Sequence, residues 1–508
     1  MVEAPAQPGL MRMGTPVARW VLFTTVLGSG LAMLDATVVN VALERIGRDL
    51  GADFSGLQWT INAYTLTLAA LILLGGSLGD RFGRRRVFVV GVVWFAAASL
   101  LCGLAQNIET LVAARALQGV GGALLTPGSL AIISASFHGA DRAAAVGAWS
   151  GLGGVAGAIG PFLGGWLVEW SWRAVFLVNL PVAALIVAVA VRHVPESRDP
   201  DAVPRLDLAG TVLAVAGLGS LTYSLTTAGE AGASAAVIGS GVVGVLALVA
   251  FVLVERRSTH PLVPTRLFGN PQFSAANAVT LLVYAALGVL FVLLVLQLQV
   301  VGGFSPLVAG IALLPVTMIM LLFSARVGAL AQRIGPRIPL AAGSLVAATG
   351  LLLMLRIGPG ASYVIDVLPP VLAFGAGLAL IVAPLTATVL DAAPDRYAGT
   401  ASGVNNAVAR AAGLLAVAVV PVAAGISGDD YTNPLTFNSG FRTALLISSG
   451  LLVAGALLAF TLIRRPLAAP EPGEAQAPPP TRVRLEECLH CGVTGPQVHP
   501  RETLGTSR

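Results

Sequence analysis

Two apolar runs, near 57–79 and 87–105, are joined by the string GSLGDRFGRRR from Gly76 to Arg86. A run of about 20 apolar residues is the length a helix needs to cross a bilayer. Two such helices joined by so short a basic segment leave it no room to fold apart from the membrane surface. Arg81, Arg84, Arg85 and Arg86 hold the segment on the cytoplasmic side, because loops rich in basic residues stay there. Asp80 is a single acid among four arginines and is expected to pair with one of them. Gly76, Gly79 and Gly83 are expected to let neighbouring backbones approach closely.

The rest of the chain follows the same grammar. Of 508 residues, 56% are hydrophobic and only 11% charged, whereas a soluble domain carries about 25% charged residues. Apolar runs recur near 18–42, 57–79, 87–105, 111–135, 143–168, 174–191, 208–228, 235–254, 272–300, 307–325, 338–355, 364–390, 399–424 and 442–463. With an inside N-terminus, eighteen arginines fall on inner loops and flanks. Five fall outside: Arg45, Arg48, Arg173, Arg356 and Arg442. That asymmetry places both termini in the cytoplasm and requires an even number of spans. The basic balance of the chain, +5, is therefore topological and gives no sign of nucleic-acid binding.

The chain contains arginine but no lysine. It thus lacks the Gly-Lys pair of a P-loop and cannot form a lysine Schiff base. No nucleophile–base set or metal cluster appears in the spans, so neither an enzyme nor a cofactor is expected. Uphill work is left to an ion gradient.

An internal repeat has an offset of about 252–256. Gly76, Arg81, Gly83 and Arg85 recur as Gly328, Arg333, Gly335 and Arg337. In the second copy Gln332 replaces the acid and Pro336 an arginine. The expected architecture is an all-α membrane protein of fourteen spans, with two six-helix bundles and two inserted spans. The boundaries read as a cytoplasmic segment 1–17, an N-terminal bundle 18–198, an insert 199–258, a C-terminal bundle 259–465 and a disordered cytoplasmic tail 466–508. In the tail Cys488, His490 and Cys491 form a lone CxxC; a zinc site would need further ligands, of which His499 is the only obvious one, so a reduced, unstructured tail is expected. Cys102, inside a span, is expected to be packing.

Asp35 lies inside the first span, in LDATVVNVAL, and is read as the only acid well inside any span. An ionised carboxylate there costs about 2.5–3.5 kcal/mol on insertion scales. Arg115, in RALQGVGGALLTP, is its expected partner. Asp35 lies roughly 24 Å from the inner face, and Arg115 about 9 Å below the outer one, at a rise of 1.5 Å per residue. In a core about 30 Å thick both occupy the outer half. Span 5 reads GLGGVAGAIGPFLGGWL, with small residues four apart (Gly153 and Gly157, Gly160 and Gly164), a spacing that permits close helix contact. Pro161 adds a kink there. Asn40, Asn62, Tyr64, Gln118, Gln297, Asn405, Asn406 and Arg410 are polar residues in or near spans. Each lines a substrate pocket or satisfies an interhelical hydrogen bond. Asp366 reads as interfacial.

GSLGDRFGRRR, RALQGVGGA, GPFLGG and LDATVVNVAL resemble four motifs of the major facilitator superfamily, in the expected order. WRAVFLVNLP, GFSPLVAGIALLP and GTASGVNNAVAR resemble the fourteen-span drug:proton antiporters of the EmrB/QacA type. The resemblance covers residues 18–465. It implies alternating access between two halves, proton coupling through Arg115 and the matching acid Asp35, and an antiport string at Gly160, Pro161, Gly164 and Gly165. It also implies a conformational switch in the basic turn at Gly76, Asp80, Arg81, Gly83 and Arg84. Glu44 stands where the span 1 motif usually ends in proline, and Ala156 where the span 5 pattern favours glycine. The resulting expectation is a monomeric, proton-coupled exporter of hydrophobic, cationic or amphipathic drugs in a bacterial cytoplasmic membrane. Small molecules, protons and the bilayer are its partners. Export of a lipid or endogenous metabolite and nutrient symport are the alternatives on the same fold. A non-transporting sensor would need a folded soluble domain that the Pro-rich tail does not provide.

Overall fold

The computed structural model describes residues 12–137, 139–199, 207–232, 234–258, 261, 263–393 and 398–464. The tail cysteines, Arg396 and the first eleven residues lie outside them, as do the side chains around Gly153 and Gly157. Every regular element among the described residues is helical. In chain order they are α1 (Pro16–Leu50), α2 (Phe54–Phe82), α3 (Arg84–Leu104), α4 (Ile108–Ser136), α5 (Gly139–Trp170), α6 (Ala174–Leu177), α7 (Asn179–His193), α8 (Leu208–Ala231) and α9 (Ala235–Arg257). There follow α10 (Pro271–Leu296), α11 (Pro306–Ile311), α12 (Leu314–Ile334), α13 (Arg337–Leu353), α14 (Leu368–Asp391), α15 (Ala398–Ala423) and α16 (Pro434–Leu462). Thirteen helices among the described residues are long and apolar enough to cross a membrane, with α6–α7 and α11–α12 each making one span. The 32-residue α5, described only in part, is a further long helix.

Local chemistry sets the helix ends. Thr15, Asp53, Asn107, Asp207 and Asn433 cap helix starts by accepting from backbone N–H groups in the first turn, which satisfies donors that have no partner within the helix. Helix α1 runs eight residues past its apolar run, to Leu50. Glu44 is therefore inside it, 8% exposed and paired with Arg48 at 2.6 Å. Glu255 is likewise buried in the last turn of α9, so acids besides Asp35 are buried near the ends of spanning helices. Arg326, inside α12, escaped the sequence reading; its Nη1 donates to the carbonyl of Leu322 on its own helix.

Helices α1 to α7 pack among themselves, as do α10 to α16, while α8 packs on α9 and also against α2 and α15. The outward face of α9 carries exposed Ile238, Val242, Val245, Leu246 and Val249, as a lipid-facing helix should. Four hydrogen bonds join the two sets of helices near the α1–α2 turn. Phe54 N donates to Gly428 O (2.8 Å) and Tyr431 Oη to Ala52 O (2.6 Å). Gln58 Nε2 donates to Val417 O (2.6 Å) and Gln299 Nε2 to Val41 O (3.1 Å).

Candidate functional site

Asp35 is completely buried, and three side chains from two other helices converge on its carboxylate. Arg115 Nη1, on α4, donates to Oδ2 at 2.5 Å. Gln118 Nε2, one turn further along α4, donates to Oδ1 at 2.8 Å. Asn179 Nδ2, at the start of α7, donates to the same oxygen at 3.0 Å. Residues three apart on a helix share a face, which is why Arg115 and Gln118 reach one target. The two carboxamides also meet on Ser99 Oγ of α3, at 2.7 and 3.1 Å.

The guanidinium is as tightly enclosed as the carboxylate, at 1% exposure. Its Nε donates to the carbonyl of Thr60 on α2 (3.0 Å), and its Nη1 also donates to Gln118 Oε1 (2.5 Å). Its plane lies 4.3 Å from the ring centre of Tyr64, a cation–π distance. Cys102, read from sequence as packing, has its Sγ 3.7 Å from Gln118 Oε1. The arrangement is one carboxylate, one guanidinium and two carboxamides in a closed network, with no metal-ligand cluster among the described residues. Such a pair, short of water, is sensitive to a single proton: neutralising the carboxylate removes the partner of a cation that cannot itself lose charge.

The basic turn is a second assembly. Asp80 pairs with Arg84, both Nε and Nη2 lying 2.8 Å from Oδ1. Arg85 and Arg86 turn to Glu196, beyond α7, each Nε at 3.7 Å from Oε2. Glu196 Oε1 also accepts from the Arg85 N–H (3.1 Å), and Arg84 N donates to Ser197 O (2.9 Å). Gly83 holds φ at +114°, a backbone conformation that calls for glycine, and a Cβ there would stand 2.7 Å from Glu196 Oε1, so the carboxylate would have to shift. Its repeat, Gly335, holds φ at +88° at the end of α12. Gly76 is not the close approach expected of it, since a Cβ would meet Pro127 at an ordinary 3.7 Å. The tight position is its neighbour Gly75, against the carbonyl of Ala123. Arg81 is exposed and lies over its neighbour Phe82.

The GPFLGG string packs two ways at once. Cβ atoms on Gly160 and Gly164 would strike Thr37 and Val38 of α1. One on Gly165 would stand 2.6 Å from Leu307 Cα, and the Pro161 carbonyl abuts Gly310 of α11.

The remaining polar residues divide. Gln297 donates to Ile357 O and Asn438 Oδ1 (2.9 and 2.7 Å), and Asn405 to Thr280 Oγ1 and Asn277 Oδ1 (2.7 and 3.2 Å); both bridge helices. Asn406 donates to Ser402 O on its own helix. Tyr64 backs Arg115, and Gln118 belongs to the Asp35 network. Buried atoms of Asn40, Asn62 and Arg410 have no hydrogen-bond partner. Asp366 is half-buried and accepts from Ser362 N. Asn179, Ser99 and Glu196 were not singled out from sequence. Asn179 lies within WRAVFLVNLP, with nothing in the sequence to mark it apart from its neighbours.

The profile of the Major Facilitator Superfamily matches residues 25–418. The chain belongs to that superfamily. A puromycin resistance protein, pur8, of Streptomyces alboniger is 36% identical over 94% of this chain and 97% of its own length. The multidrug resistance protein Stp of Mycobacterium tuberculosis is 36% identical over 76% of this chain and 72% of its own length. Among solved structures, a bacterial homologue of the lysosomal transporter Spinster, in an inward-facing and unoccupied conformation, aligns with a TM-score of 0.64. That alignment covers 89% of this chain and 98% of the other at 18% identity, so it speaks for the fold alone. This superfamily member is a multi-span transporter of the bacterial cytoplasmic membrane.

Proposed function

We propose that this transporter is a proton-coupled antiporter that expels hydrophobic and amphipathic small molecules from the cytoplasm, acting as a monomer. The observation that carries this reading is the sealed Asp35–Arg115 pair. A buried ion pair is a poor way to stabilise a fold, and ionisable groups inside a membrane mark coupling sites. The resistance functions in the names of the two relatives support outward transport of drug-like substrates.

In this scheme Asp35 takes the proton and Arg115 senses it. Protonation releases the guanidinium, so α1 and α4 change their mutual packing. Helix α1 also lies on Gly160 and Gly164 of α5, and α5 meets α11 in the other half. The change therefore reaches the boundary between bundles 18–198 and 259–465. In the same scheme the hydrogen bonds near the α1–α2 turn hold the outer side shut. The Asp80–Arg84 pair and the Glu196 clamp stiffen the basic turn and release on the return stroke.

The test is substrate-induced proton release in proteoliposomes with puromycin or ethidium as substrate. Wild type should concentrate the substrate only while a pH gradient stands. Asp35→Asn, reconstituted at equal folded amount, should exchange no protons. Concentrative transport that survives an uncoupler, or an Asn variant that exchanges protons normally, would sink the reading.

A further inference from the structure

Two contacts fix the register of α2 against α15. Gln58 Nε2 donates to Val417 O, and Leu73 Cδ2 lies 3.1 Å from the place of a Cβ on Gly403. The helices are thus antiparallel. Residues 403, 410 and 417, seven apart, form one stripe on α15, and Gln58, Asn62 and Leu73 share one face of α2. Arg410 consequently stands opposite positions 65–66, about 5 Å along the axis from Asn62.

Neither residue is satisfied. Asn62 is 0% exposed, and both its Oδ1 and its Nδ2 lack a partner. Arg410 Nε is buried without one, and among the described residues Arg410 makes no ion pair or hydrogen bond. Among the described residues the hydroxyls of Tyr64 and Tyr284 lie within its electrostatic reach. A buried carboxamide and a buried guanidinium Nε without partners are costly, while the half-buried Arg410 keeps part of its side chain accessible. The N–H groups of Asn405 and Gln297 are engaged by neighbouring helices, although Gln297 Oε1 is left without a partner, whereas Asn62 lacks a partner at both ends of its carboxamide. A partner for Arg410 and Asn62 that comes and goes accounts for the difference. Arginine offers only donors, and asparagine adds two more beside one acceptor. The complementary group is an oxygen acceptor, best with negative charge.

Resting on the export reading above, we propose that Arg410 and Asn62 form the polar end of the substrate site. The exported molecules then include apolar compounds bearing a carboxylate or phenolate oxygen, which this polar end engages, whereas a lone cation binds without it.

Equilibrium binding to the purified full chain in detergent, with no pH gradient, separates this proposal from the coupling scheme. The probes are anthraquinone-2-carboxylate and ethidium, both apolar and aromatic, with opposite charge. Arg410→Met should weaken the carboxylate about tenfold or more, the worth of a charge-assisted hydrogen bond, and leave ethidium unchanged or tighter. Asn62→Ala should weaken the carboxylate by a smaller factor, and Arg410→Lys should recover part of the loss. Retained ethidium binding shows that each variant is folded. Equal loss of both probes, no loss of either, or no carboxylate binding by wild type overturns the proposal. Selective loss in Arg410→Met, alongside an Asp35→Asn variant that exchanges protons normally, supports the site and removes only the coupling role.

Discussion

Replacing Asp35 by asparagine tests the network in energetic terms. The carboxylate accepts from Arg115, Gln118 and Asn179, while an asparagine has one oxygen and a donor in place of the other. At least one of the three donors then faces another donor. If it is Arg115, a buried guanidinium is left unpaired, which costs about 3–5 kcal/mol. Arg115→Met should cost less, since a stranded carboxylate can be neutralised by a proton and two carboxamides still hold it. The double variant Asp35→Asn/Arg115→Met removes both charges. Its residual loss is the hydrogen bonds from Arg115 to Gln118 Oε1 and the Thr60 carbonyl, with weaker packing, about 1–2 kcal/mol. The singles and the double should therefore fail to add by about 2–3 kcal/mol. Reversible unfolding in mixed micelles, titrated with SDS, measures all four proteins. Additive losses, or an Asp35→Asn variant as stable as wild type, would refute the argument that the pair is held by mutual need.

Asp80→Ala should change stability by less than about 1 kcal/mol, because the pair with Arg84 is partly exposed; turnover should fall while the substrate Kd stays within about twofold, as transport and binding assays would report. Tyr431→Phe removes the hydrogen bond to the Ala52 carbonyl, worth about 0.5–1.5 kcal/mol. The population open at the α1–α2 turn should rise by about two- to tenfold, read from distances between spin labels on either side of it. Gly165→Ala puts a Cβ against the Leu307 backbone, which cannot yield as a side chain would; the expected loss is about 1–3 kcal/mol, seen in thermal unfolding.

The sequence made the fold legible because lipid allows so few solutions. Apolar length marks the helices, and the Gly83 and Gly335 repeats mark the helix ends. Asp35 and Arg115 were legible as a pair by depth, since each is expensive where it stands. Asn179 and Ser99 were not. Neutral polar residues are common in spans, and the approach of α7 and α3 to α1 is set by packing distributed over many side chains. Glu196 was hidden for a related reason: it lies 110 residues beyond Arg86 in the chain, on a segment with no periodicity. Gln118 was visible as a polar residue, but its task, orienting the acid beside it, depends on a neighbour from another helix.

Helices α5 and α11 meet main chain to main chain, with Gly165 on Leu307 and Gly310 on the Pro161 carbonyl. No rotamer change can lengthen or shorten a contact of that kind, so in the proposed scheme it would serve as a fulcrum, its position fixed while the angle across it varies. From Gly165 to Arg142, α5 extends about 35 Å. A roll of about 15° about that point carries the far end through about 9 Å, close to the spacing between packed helices. A clearance as wide as one helix can thus open at one membrane face while the atoms at the pivot hardly move.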